Sequence, residues 1–102
     1  MNTSEFSNFD VADYLNSEEM IQDYLNGCLE LNEPKVFIAA LNNVARAKGI
    51  ANISKKTGLG RESIYKSLAN GANPRFETIM KILDGLGASI RIDHKRNDLA
   101  LA

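Results

Sequence analysis

Ile50–Gly71 reads IANISKKTGLGRESIYKSLANG, and this stretch decides the fold. Its apolar spacing predicts two short helices, Ala51–Thr57 and Arg61–Asn70, meeting at Thr57-Gly58-Leu59-Gly60. A helix-turn-helix needs a residue in that turn able to reach positive φ, and Gly58 supplies it. It needs a small residue about four positions earlier, where the helices cross, and Ser54 fits. Ile53, Leu59, Ile64 and Leu68 are the apolar anchors between the two helices. The other face of the second helix is polar: Arg61, Glu62, Lys66 and Asn70, with Tyr65 at the border. Such a helix suits the major groove of DNA, its amino-terminal side chains reaching base edges. A plain helical hairpin in a small bundle satisfies the same pattern.

Outward from this hairpin, Pro34 opens a helix that Gly49 closes, with Phe37, Leu41 and Val44 on one face and Arg46 and Lys48 in the last turn. On the other side, Phe76, Ile79, Leu83 and Leu86 are in helical register over Phe76–Leu86. Ser17 caps a further helix over Glu18–Glu30, where Ile21, Tyr24, Leu25 and Cys28 form the apolar stripe. Cys28 reads there as a small buried hydrophobe and Tyr24 as a core aromatic. FDVADYL, residues 9–15, suits a short helix or an extended segment. ASIRID, Ala88–Asp93, alternates with Ile90 and Ile92 on one side, which predicts a short strand. A lone strand must find a partner, and an identical strand across a two-fold axis is the simplest one, so Ile90 and Ile92 are the candidate dimer contacts. The chain thus divides into an acidic extension with one amphipathic helix (1–33), a helix-turn-helix domain (34–87), and a strand and tail (88–102).

The net charge of −1 conceals an asymmetry. Residues 1–33 hold eight acids and no Lys or Arg, while all twelve bases lie beyond. Between Lys35 and Lys81 nine bases face only Glu62 and Glu77. A basic surface around the hairpin favours a polyanion, because affinity for DNA rests largely on neutralised phosphates. The acidic part suits a basic partner or a solvated face. The 102 residues suffice for one domain, and 44% apolar with 25% charged is ordinary globular composition. The longest apolar run, Val36–Leu41, falls far short of the roughly 20 residues of a membrane span. The opening residues, MNTSEFSNFD, carry neither the basic nor the apolar part of a signal peptide. One cysteine and one histidine, His94, make a zinc cluster or a serine-type triad improbable. The two Gly-Leu-Gly turns lack the third glycine and preceding strand of a dinucleotide fingerprint. The expectation is a cytoplasmic protein that binds rather than catalyses, with no cofactor, no metal and no membrane.

Val36–Leu86 resembles the Xre/Cro-type helix-turn-helix domain of phage repressors. A longer match, over about residues 9–92, is carried by FDVADYL, YLNGCL, VARAKG, TGLGRESIYKSL and NPRFETIMKIL. It resembles the HigA-like addiction-module antidote (antitoxin) proteins of that superfamily. The resemblance implies an all-α fold, a five-helix lambda-repressor-like bundle with the acidic extension and the short strand added. It also implies two activities. One is neutralising a cognate toxin, commonly a small basic RelE/HigB-like protein that cleaves messenger RNA. The other is binding operator DNA, usually as a homodimer, to repress its own operon.

The recognition positions matched by that family are Arg61, Glu62, Tyr65 and Lys66. Arg and Lys suit guanine O6/N7, and Glu accepts from cytosine N4. Glu62 serves equally as a first-turn partner of the helix dipole, and Tyr65 as a packing residue beside Ile64 and Leu68. Phosphate contacts fall to Lys48, Asn52, Lys55, Asn70, Asn73 and Arg75, near helix ends and turns. The late apolar anchor is Leu68, one place later than in many repressors, and Arg75 stands where a capping Ser is common. For the toxin, Phe9, Asp10, Asp13 and Tyr14 are the candidate contacts in the extension. The alternatives are a plain prophage-type repressor without a toxin, and a pure interaction module whose hairpin binds no DNA.

Overall fold

A computed structural model describes residues 10–94. A 3-10 turn, Val11–Tyr14, precedes five α-helices: α1 Glu18–Glu30, α2 Pro34–Lys48, α3 Ile50–Thr57, α4 Arg61–Ser67 and α5 Phe76–Gly85. Ser17 Oγ accepts from Met20 N–H at 3.1 Å to open α1, whose first turn holds Glu18 and Glu19. Glu33 caps α2 ahead of Pro34, and Gly49, at φ +98°, separates α2 from α3.

The helices close on one core. Leu41 and Val44 of α2, Ile53 of α3, Ile64 of α4 and Ile82 of α5 are its fully buried centre. Ile21 and Leu25 bring α1 into the same cluster, with Leu15, Tyr24 and Cys28 packed against its edge. Tyr24 is only half-buried, and its hydroxyl accepts from Asn43 Nδ2 at 2.8 Å. Residues that share a helical face do not all turn inward. Phe76, in register with Ile79 and Leu83, is 66% exposed, because it opens α5 at the rim of the bundle.

Helix α4 is shorter than the Arg61–Asn70 expected from the sequence. It ends at Ser67; Leu68, buried at its carboxyl end, leaves helical geometry, and Gly71, at φ +83°, turns the chain away. Asn70 therefore lies in the turn and not on the helix.

The strand expected over Ala88–Asp93 does not form in the single chain. Residues 88–94 carry no regular secondary structure, and no strand exists among the described residues. Ala88 is consumed by the end of α5: its N–H donates to Leu83 O at 2.9 Å, and Gly87 N–H to Asp84 O at 3.0 Å, with Gly87 left-handed at φ +80°. That double bond is the Schellman stop of a helix. Beyond it Ile90 is 46% and Ile92 91% exposed, and among the described residues no neighbouring segment offers a ladder.

Candidate nucleic-acid interface

The turn between α3 and α4 is held by side chains as well as by glycine. Gly58 takes φ +79° and donates its N–H to Ser54 O at 2.9 Å, closing α3. Ser54 Oγ then donates to Leu59 O at 2.6 Å. Thr57 Oγ1 donates to Ile53 O at 2.7 Å and accepts from Leu59 N–H at 3.1 Å. Two hydroxyls thus satisfy backbone groups that the turn would otherwise leave open. Ser54 does more than save space at a crossing, and Thr57, which periodicity does not single out, is its counterpart.

Behind the turn, α5 crosses α3 at close range. A Cβ on Gly85 would lie 2.6 Å from Thr57 Cγ2 and 3.2 Å from Ile53 Cγ2. Gly85 is the buried last residue of α5, and its missing side chain lets α5 seat against α3.

Packing decides which side chains α4 displays. Ile64 and Leu68 are buried, so Arg61, Glu62, Tyr65 and Lys66 all lie in solvent on the remaining face. Tyr65 is 53% exposed, which makes its ring available at the surface. Glu62 sits in the first turn of α4, the position of a dipole partner, and is exposed there. Gly60 caps α4 without a side-chain bond.

The phosphate candidates form three groups along the chain. Asn70, Asn73 and Arg75 are exposed in the link from α4 to α5, and Arg75 stands at the start of α5 with no capping bond. Lys55 is exposed in the last turn of α3. Lys48 and Asn52 flank Gly49, where Asn52 Nδ2 donates to Lys48 O at 3.2 Å. Lys48 already holds an ion pair with Glu18 of α1.

The acidic extension folds back onto α2. Asp10 receives both arms of Arg46: Nη1 to Oδ2 at 2.6 Å and Nη2 to Oδ1 at 3.1 Å. The same carboxylate caps the 3-10 turn by accepting from Ala12 N–H at 3.0 Å. The Arg46 hydrogen bond, then the Ala12 N–H, hold the Asp10 carboxyl below its ordinary pKa; Arg46 is correspondingly raised by Asp10. Arg46 Nη2 also donates to Asn43 Oδ1 at 2.5 Å. Asp13 and Tyr14 are exposed on the turn, whereas Phe9 lies outside the described residues. Asp10, a candidate toxin contact, thus has a partner within the fold, and Arg46 enters as a functional candidate that only the pairing reveals.

On another side of the bundle, α1, the start of α2, α5 and residues 87–93 enclose an open groove of about 940 Å³, lined by Leu29, Phe37, Phe76 and Ile90 among others. Among the described residues no cluster of His, Cys, Asp and Glu could hold a metal ion, and no helix is long and apolar enough to cross a membrane.

Residues 5–94 match the family model described as probable addiction module antidote protein. An uncharacterised protein of Haemophilus influenzae (strain ATCC 51907 / DSM 11121 / KW20 / Rd) is 37% identical over 94 residues, spanning 92% of this chain and 97% of that protein. No solved structure matches. With all the described residues inside that match, the chain belongs to the family of probable addiction module antidote proteins.

Proposed function

We propose that this chain is the antitoxin of a type II toxin–antitoxin module, which neutralises a small basic RelE/HigB-like, mRNA-cleaving toxin and represses its own operon by binding operator DNA. Family membership supports the antitoxin role and with it a toxin partner. The observation that carries the DNA-binding half is the α3–turn–α4 unit. Its second helix is anchored by Ile64 and Leu68 and displays Arg61, Glu62, Tyr65 and Lys66 together. On this reading the fold is an Xre/Cro-type, HigA-like domain, with α4 in the major groove and these four side chains at base edges. Lys48, Asn52, Lys55, Asn70, Asn73 and Arg75 position it on phosphates.

The protein acts as a cytoplasmic homodimer that needs no cofactor and catalyses no reaction. Two copies match a near-palindromic operator, and the exposed Ile90 and Ile92 with the groove beside them supply apolar area for the contact. The toxin is engaged by the acidic extension: Asp10, Asp13, Tyr14 and Phe9.

The test is a paired one. Fluorescence anisotropy with a duplex from upstream of the protein's own gene should give tight binding and a scrambled duplex of equal length weak binding. Co-purification should recover the product of the neighbouring reading frame. Equal affinity for both duplexes removes the repressor half; no toxin in the neighbouring frame leaves a plain prophage-type repressor.

A further inference from the structure

We propose that Arg46 joins Lys48 in a phosphate-contact site at the foot of the helix-turn-helix, and that the acidic amino-terminal segment occupies it as an intramolecular mimic of the DNA backbone. The inference rests on the DNA-binding reading above. Both cations lie in the last turn of α2, immediately before Gly49 and α3. In helix-turn-helix docking the first helix of the motif crosses the DNA backbone, so the residues leading into α3 belong beside phosphates. Asn52, in the first turn of α3, is tied to the Lys48 carbonyl and so keeps this junction together.

Both cations are met by carboxylates from the segment that has eight acids and no base. Asp10 grips Arg46 in a bidentate fork, the arrangement a guanidinium uses for a phosphate, and Glu18 pairs with Lys48. By contrast, Lys55, Arg61, Lys66 and Arg75 form no ion pair among the described residues. The carboxylates therefore cover the two cations before α3 and leave those of the exposed face open. Asp10 is preset for this by its bond from Ala12 N–H, which fixes the carboxylate. The Arg46–Asp10 pair is 38% exposed on each side, so a phosphate can reach Arg46 once the carboxylate no longer holds it. The consequence is a lowered general affinity for nucleic acid with base reading by α4 untouched.

The test compares the wild type with Asp10→Asn/Glu18→Gln on a duplex from upstream of the gene and on a scrambled duplex, by anisotropy between 50 and 200 mM KCl. Each phosphate contact adds about 0.9 to the salt slope, so two freed cations steepen it by about 1.8, and the variant's advantage shrinks roughly twelvefold across that range. The variant is expected to bind both duplexes more tightly at 50 mM. The same two substitutions in an Arg46→Ala/Lys48→Ala background are expected to change neither affinity nor slope.

A gain that persists in that background arises from the general field of the removed charges and overturns the proposal. So does tight wild-type binding with an unchanged slope in the variant, which leaves the operator reading standing. Binding of neither duplex by folded wild type or variant at 50 mM removes both readings together. Should the double variant melt below the assay temperature, Asp10→Asn alone carries the test, with a slope change of about 0.9.

Discussion

Gly85→Ala tests whether the close crossing of α5 on α3 holds the α3–turn–α4 unit in place. The new Cβ would stand 2.6 Å from Thr57 Cγ2, where ordinary contact begins at 3.4 Å, so the two helices must part by close to 1 Å or Thr57 must move. Overpacking of this kind costs about 1–3 kcal/mol. Alanine recovers part of that, since it is better than glycine inside a helix by about 0.8–1 kcal/mol, and less at a helix's last residue. A net loss of about 1–2 kcal/mol follows, which for a domain of this size lowers Tm by roughly 5–10 °C. Urea unfolding followed by circular dichroism measures it. The decisive control is Thr57→Ser, which removes Cγ2 but keeps the hydroxyl that bonds Ile53 O and Leu59 N–H. In the double variant the losses should be less than additive by about 1 kcal/mol, the rescue remaining partial because Ile53 Cγ2 stays at 3.2 Å. Wild-type stability in Gly85→Ala, or strictly additive losses, would refute the close-crossing argument.

Further outcomes follow from the same geometry. Arg61→Ala or Lys66→Ala should cost about 1–3 kcal/mol on operator and relax preference at one position, whereas Lys55→Ala or Arg75→Ala weakens operator and scrambled DNA alike; salt titrations of each variant distinguish the two patterns. Truncation after Gly87 removes Ile90 and Ile92 and should yield monomers with weaker operator binding, and a tight dimer in analytical ultracentrifugation would contradict that assignment. Because the folded Asp10 carboxyl lies below its ordinary value of 3.8, its contribution is fully present above that pH and is lost as pH falls through the folded value. The Tm difference between wild type and Asp10→Asn should therefore be constant at neutral pH and vanish in strong acid; a difference that grows on acidification would reverse the sign.

Helix boundaries are local matters, and for α1, α2 and the end of α3 the sequence alone was sufficient, whereas α4 ends three residues before the expected Asn70. Ser17 before two glutamates, Pro34 at a first turn, Gly49 and Gly58 at helix ends each act on backbone groups within four residues, so α1, α2 and the turn after α3 can be read without coordinates. The outward polar face of α4 follows in the same way from the spacing of Ile64 and Leu68. Where two local signals compete, packing and pairing settle the outcome. Alternation predicts a strand from Ala88, but Gly87 and Ala88 complete the stop of α5, and the residues after them meet no second strand among the described residues.

What only the tertiary structure decided are relations between distant residues. Periodicity places Phe76 on the apolar face of α5, yet its position at the bundle's rim leaves it in solvent. Nothing within a helical turn of Gly85 reveals that Thr57 and Ile53 fill the space of its absent Cβ. Charge counting separates an acidic extension from a basic domain, but Asp10 and Arg46 lie 36 residues apart, and only chain folding brings the fork together. A charge in sequence has a sign without a direction; its partner is set by where the backbone carries it.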